Sequence, residues 1–212
     1  MGKKVVALAM AWTLAVAAGG VFASDRQVEA VSGLVKGASS RLAAGVEQLA
    51  QFQGVADQGL FKAADDAALV LDDTRAAVQR IDTSARPAVA SAALAYLKAA
   101  QGLVKGLQDA RRKAALADVL DREGAQAVVD LKEARESDRP PILERMEKLF
   151  GQSDEAEAAM KASVGRASEA LAELELRRSL LAAQLGSADA LLPEKTLAAV
   201  KRGLQAVQPQ PE

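Results

Sequence analysis

The chain has 212 residues, half of them apolar but only 3% aromatic, with 27 basic and 28 acidic residues and neither histidine nor cysteine. The near-balance of charge excludes an electrostatic nucleic-acid binder, because no basic excess exists to neutralise phosphates. The missing side chains exclude disulfides, thiolate or imidazole catalysis, and a zinc or haem site built on histidine.

Met1-Gly2-Lys3-Lys4 precedes an apolar run, Val5–Val21, and then Phe22-Ala23-Ser24. A basic start, an apolar segment and small residues at Val21 and Ala23 form the pattern of a bacterial secretory signal. Residues 1–23 are therefore expected to be removed, with Trp12 among them, leaving a mature chain that begins at Ser24. Loss of Lys3 and Lys4 would leave 25 basic and 28 acidic residues. The alternative is an inner-membrane anchor through uncleaved residues 5–23, close to the roughly 20 residues that span a bilayer. Thr13, Gly19, Gly20 and the many alanines make that run weakly apolar for a permanent span. With no cysteine after the run, a lipid-modified cysteine is excluded, and no later segment is long and uncharged enough to cross a membrane.

Ala, Leu, Glu, Gln, Lys and Arg dominate the remainder, and all favour helix. Ser24 and Gln27 form a capping-box pattern that predicts a first helix from Ser24 to about Phe52. Val28, Val31, Val35, Ala38, Leu42, Leu49 and Phe52 make its apolar stripe, and Gly54 ends it. A second helix is expected from Asp57 to about Ile81, with Leu60, Ala64, Ala67, Leu71, Thr74, Val78 and Ile81 on one face. Asp82-Thr83-Ser84 with Pro87 marks a turn and a new helix start.

The third helix begins near Ser84 with Val89, Ala93, Tyr96, Ala100, Leu103, Leu107 and Ala110 inward. Its pattern blurs at Arg111-Arg112-Lys113 and resumes with Leu116, Leu120, Ala127, Leu131 and Ala134. The favoured expectation is one continuous or gently kinked helix to about Glu136; the other is a break at Gly124. Ser137-Asp138-Arg139-Pro140-Pro141 is the clearest interruption in the chain. A short amphipathic helix with Ile142, Leu143, Met146, Leu149 and Phe150 is expected next, closed by Gly151. A fifth helix runs from Ser153 or Asp154 to about Leu185 with Met160, Val164, Ala167, Leu171, Leu174, Leu181 and Leu185 inward. Gly186 and Ser187 end it. A last helix from about Pro193 carries Leu197, Val200, Leu204 and Val207. Gln208–Glu212 reads as a disordered tail. The predicted fold is all-α: an elongated antiparallel bundle of four to six helices spanning residues 24–207, with coiled-coil-like packing.

Five features invite a functional reading. Gly-Leu-Val-Lys-Gly occurs at Gly33–Gly37 and Gly102–Gly106, a spacing that lets helix backbones approach closely. Most of these glycines fall off the apolar stripes, which favours coincidence. Asp65-Asp66 and Asp72-Asp73 lie seven residues apart on one helix and could attract a hard cation. They also sit outside the stripe and fit a solvated acidic face partnered by Lys62, Arg75 and Arg80. Arg178 interrupts a stripe; it either fixes register or binds an acidic group, or, the favoured expectation, snorkels to water. Arg111-Arg112-Lys113 reads as a solvated basic face that could touch anionic lipid. Ile142–Phe150 could dock on a membrane or a partner, or cap one end of the bundle.

No residue is assigned a catalytic, cofactor-binding or metal role. No G-x-S-x-G turn or phosphate-cradling glycine loop occurs. A carboxylate pair could act as acid and base, but almost no aromatics are present to stack on a sugar. The expected protein is a non-enzymatic periplasmic or secreted helical binder working by protein–protein contact, as envelope adaptor, scaffold or chaperone-like protein. Its partner would be an envelope protein or a second copy. The alternative is a ligand-sensing or lipid-binding bundle, with a small apolar ligand between Ala-lined helices.

Overall fold

The computed structural model describes the backbone of residues 3–52 and 58–207 and the side chains from Asp25 onward. Gly54, Asp57 and the Gln208–Glu212 tail lie outside the described residues. Five α-helices follow in order: α1 (Lys3–Leu49), α2 (Gln58–Arg80), α3 (Pro87–Glu133), α4 (Arg139–Leu185) and α5 (Glu194–Val207). No strand occurs among the described residues, and helix accounts for 89% of them, so the all-α bundle is the fold.

The stripes pack as their spacing predicts. Val31, Val35, Ala38, Leu42 and Leu49 from α1 join Ala64, Leu71 and Val78 from α2 in one continuous core. Val89, Ala93, Tyr96, Leu103 and Leu107 from α3, Val164, Leu171, Leu174 and Leu181 from α4, and Leu197, Val200 and Leu204 from α5 complete it. Tyr96 is 1% exposed, and its hydroxyl lies 3.0 Å from the Ser39 hydroxyl and accepts the Leu192 amide at 2.9 Å. One phenol thereby ties α1, α3 and the α4–α5 connection together, with its polar tip satisfied inside the core. Thr196, fully buried, donates to Glu47 at 2.6 Å and pins the start of α5 to α1.

Three helix starts differ from the predicted ones. α1 passes through Ser24 without a break, so it does not begin there in the intact chain. The Ala-rich run before Ser24 is itself a helix former, and an existing helix propagates readily. α3 begins at Pro87 rather than Ser84, after a turn in which Asp82 Oδ1 accepts the Ser84 amide. It then continues through Gly124 as one helix.

The largest difference is α4. The short helix expected over Ile142–Phe150 and the helix expected from Ser153 are one helix of 47 residues. Pro140 and Pro141 occupy its first turn, where no amide donor is needed. Gly151 does not end it. A lone glycine costs a helix about 1 kcal/mol relative to alanine, and buried Leu149 and Ala156 on either side hold it straight. Gly186, at φ 73°, terminates α4 in the left-handed conformation that glycine adopts without strain.

α3 and α4, each 47 residues, form an antiparallel hairpin about 70 Å long at 1.5 Å per residue. Only half of it lies against α1, α2 and α5. Beyond Lys113 on α3 and before Met160 on α4, no apolar side chain among the described residues joins that core. Ala117, Ala127, Leu149 and Ala156 are buried there, outside the continuous core. Leu116, expected inward, is 53% exposed. A two-helix seam covers a narrower stripe than a bundle does, so Ala117 takes the inward position beside it.

Candidate interaction surface

The projecting part of the hairpin, residues 114–160, has 12 acidic and 6 basic residues, a net charge of −6 in a chain of net charge −1. Among the described residues this arm also carries most of the large apolar side chains that reach solvent. Leu116, Val119, Val129, Leu143 and Phe150 are exposed there, against Leu69, Leu176 and Leu180 elsewhere. Phe150 is 47% exposed, and one edge of its ring covers Gly124, where an added Cβ would meet the ring at 3.2 Å. The glycine is thus where the ring settles on α3, not a helix breaker. At the root of the arm Ser153 donates a short hydrogen bond to Asp121.

A cleft of about 850 Å³ opens where the arm leaves the bundle. Its walls come from the C-terminal ends of α1 and α5 and from the middle of α3 and α4. Phe52, Ala114, Ala117, Met160, Ala206 and Val207 supply apolar surface. Glu47, Asp118, Asp121 and Glu157 supply carboxylates, and Arg202 a single guanidinium. α5 comes very close to α1 beside it, because a Cβ at Gly203 would collide with the Ala50 carbonyl oxygen.

The basic triplet is only in part a solvated face: Arg112 is exposed, but Arg111 is not. Arg111 is 4% exposed, with its guanidinium 5.8 Å from the centroid of the Phe52 ring. Burial lowers its pKa, the charge of Asp118 acts in the opposite direction, and the group stays a cation. Arg112 stands 5.2 Å from the centroid of the Phe61 ring. Lys113 bridges Asp109 at 2.9 Å and Ser163 at 2.8 Å.

Arg178 corrects the snorkelling expectation. Its side chain is only 14% exposed; Nε donates to the Leu192 carbonyl at 2.9 Å, and a terminal nitrogen meets Glu194 at 3.4 Å. It fixes the α4–α5 connection, in the register role that such an arginine can play. The acidic pairs on α2 are exposed, but two of the four carboxylates are engaged with α3. Asp65 accepts from Gln108 at 2.7 Å, and Asp72 accepts from Gln101 at 2.9 Å and Arg75 at 3.2 Å. Of the two Gly-Leu-Val-Lys-Gly segments, only Gly106 makes a close approach, with a Cβ there 3.1 Å from the Ala167 Cα. Gly33, Gly37 and Gly102 face open space.

A polar cluster that periodicity does not reveal lies where the arm meets the bundle. Ser163 donates to Asp109 at 2.8 Å, and Arg166 reaches Asp109 at 3.1 Å. A serine beside a lysine amine invites comparison with hydroxyl-nucleophile chemistry. Here the Ser163 side chain is buried, and the Lys113 ammonium is ion-paired with Asp109. A paired ammonium has no lone pair to take a proton, so the cluster clamps α3 to α4. Among the described residues no three acidic side chains converge as a metal site, and no helix is long and apolar enough to cross a membrane.

Comparison with protein-family models, curated proteins and solved structures finds no match.

Proposed function

We propose that this chain is a non-enzymatic exported protein that works by protein–protein contact from its α3–α4 arm, as an envelope adaptor, scaffold or chaperone-like binder. One observation carries the reading: among the described residues, large exposed apolar side chains are concentrated on the arm that runs beyond the shared core. The signal-like pattern of residues 1–23 supports a periplasmic location for that activity. The apolar walls of the cleft support a second reading, in which a lipid or small apolar ligand binds.

Photo-crosslinking residues placed at Leu116 and Phe150 in growing cells test the first reading. Discrete protein adducts are expected from both, and none from the same residue at Asp73 or Glu173 on the bundle. Equal labelling from all four positions would remove the arm from the function. N-terminal sequencing of the exported protein should begin at Ser24; recovery of Met1 or Gly2 in the membrane fraction would establish an anchor. Lipid extraction and native mass spectrometry test the second reading, which requires a co-purifying lipid.

A further inference from the structure

The cleft at the root of the arm has a chemistry of its own. Its lining joins Phe52, Met160 and Val207 with the carboxylates of Glu47, Asp118, Asp121 and Glu157 and the guanidinium of Arg202. Arg111, 5.8 Å from the centroid of the Phe52 ring, adds one more cation. Glu157 is itself paired with Lys161 at 2.7 Å. Thr196 and Ser153 donate to Glu47 and Asp121, and neither hydroxyl brings a charge, so the α3 side of the cleft, with Asp118 and Asp121, remains acidic. Further out, Leu143, Phe150 and Glu157 recur at sevenfold spacing on α4, together with Glu147 and Asp154. That spacing keeps the same face in view along the arm.

We infer that this cleft receives a basic amphipathic helix of a partner protein, its apolar face on Phe52, Met160 and Val207 and its lysines or arginines on Asp118 and Asp121. An apolar trough between helices is the usual seat of an amphipathic helix, with anchors spaced three and four residues apart. Carboxylates on both walls select the sign of the flanking charges and accelerate docking. An acidic helix, or an anionic lipid headgroup, would meet repulsion in the same place. The inference deepens the protein-contact reading by naming the partner's chemistry, but it uses the cleft rather than the exposed side chains of the arm.

The test uses the full chain and a fluorescein-labelled 14-residue helical peptide of leucine and lysine, followed by anisotropy. The same peptide with glutamate in place of lysine is the comparison. The lysine peptide is expected to bind saturably and the glutamate peptide not to bind. The double change Asp118→Asn and Asp121→Asn should weaken binding about fivefold, the combined loss of two exposed ion pairs. Asp66→Asn with Asp73→Asn, on the far side of α2, should leave it unchanged. Ala206→Arg puts bulk and positive charge at an exposed helical position in the cleft wall, so it should abolish binding while the helical circular-dichroism signal and melt are retained.

Equal binding of both peptides, or lysine-peptide binding indifferent to the double change and to Ala206→Arg, overturns the inference. Binding that emerges only when the chain is cut after Val207 would make residues 208–212 the occupant and also overturn it. A failed titration beside positive crosslinks at Leu116 and Phe150 would dispose of the cleft as a docking site and leave the arm reading standing.

Discussion

Asp109 accepts hydrogen bonds from Lys113, Ser163 and Arg166, and its carboxyl pKa is lowered from 3.8 to about 2. The hydrogen bond from Lys113 is the largest cause, and partial burial opposes it. A folded-state pKa below the unfolded one contributes stability that is complete above the unfolded value and is lost as pH falls through the folded value. Asp109→Asn is therefore expected to destabilise the protein at pH 7 and to match the parent by about pH 2. Because the carboxylate is 44% exposed, solvent screens it, and the neutral-pH loss should stay under about 1 kcal/mol. Urea melts at pH 7, 4 and 2 measure this difference directly; a gap that widens on acidification would show that another group carries it. Nothing in the spacing of Asp109 or Ser163 marks them in the sequence, because they meet across two helices and 54 positions.

Glycines separate the elements that touch closely from those that do not. Gly102 faces open space in the middle of α3, whereas a Cβ at Gly203 would run into the Ala50 carbonyl. Gly102→Ala is expected to raise stability by about 0.5–1 kcal/mol, the ordinary gain from removing a helical glycine. Gly203→Ala should lower stability by about 1–3 kcal/mol, because a backbone oxygen cannot rotate out of the way. Thermal melts of the two variants should move in opposite directions, and a stabilised Gly203→Ala would mean that α5 does not pack against α1 at this distance. The motif reading singled out Gly102 and left Gly203 unmentioned. A repeated five-residue phrase is visible in a sequence, while a contact between α1 and α5 is not.

Across the whole molecule one core joins all five helices, and Leu71 and Leu171 both belong to it. Replacing either by Asp puts an unpaired charge among apolar side chains, at a cost of several kcal/mol. That is a large part of the roughly 5–15 kcal/mol by which domains are stable. Asp66→Ala and Asp73→Ala lie on the exposed face of the same α2, where ion pairs contribute about 0–1 kcal/mol. Thermal melts of the four variants should divide cleanly into two unfolded or strongly destabilised proteins and two near-normal ones. Aspartate-to-alanine changes that cost more than the leucine changes would invert the core.

The sequence by itself determined the class of the fold, its principal apolar stripes and the end of α4 at Gly186. These follow from local causes: helix propensity, a 3.6-residue period, and a backbone angle that glycine adopts at little cost. Tertiary structure alone decided that Gly151 interrupts nothing, that α1 does not begin at Ser24 in the intact chain, and that Arg111, Lys113 and Arg178 have partners. It also decided that the hairpin outruns the bundle and leaves a cleft at its root. Periodicity shows which face of a helix is apolar, but not which neighbour covers it or how far along that neighbour extends. A helix weakened by one glycine is kept continuous by side chains from the helix beside it, and that neighbour is known only once the chain has folded.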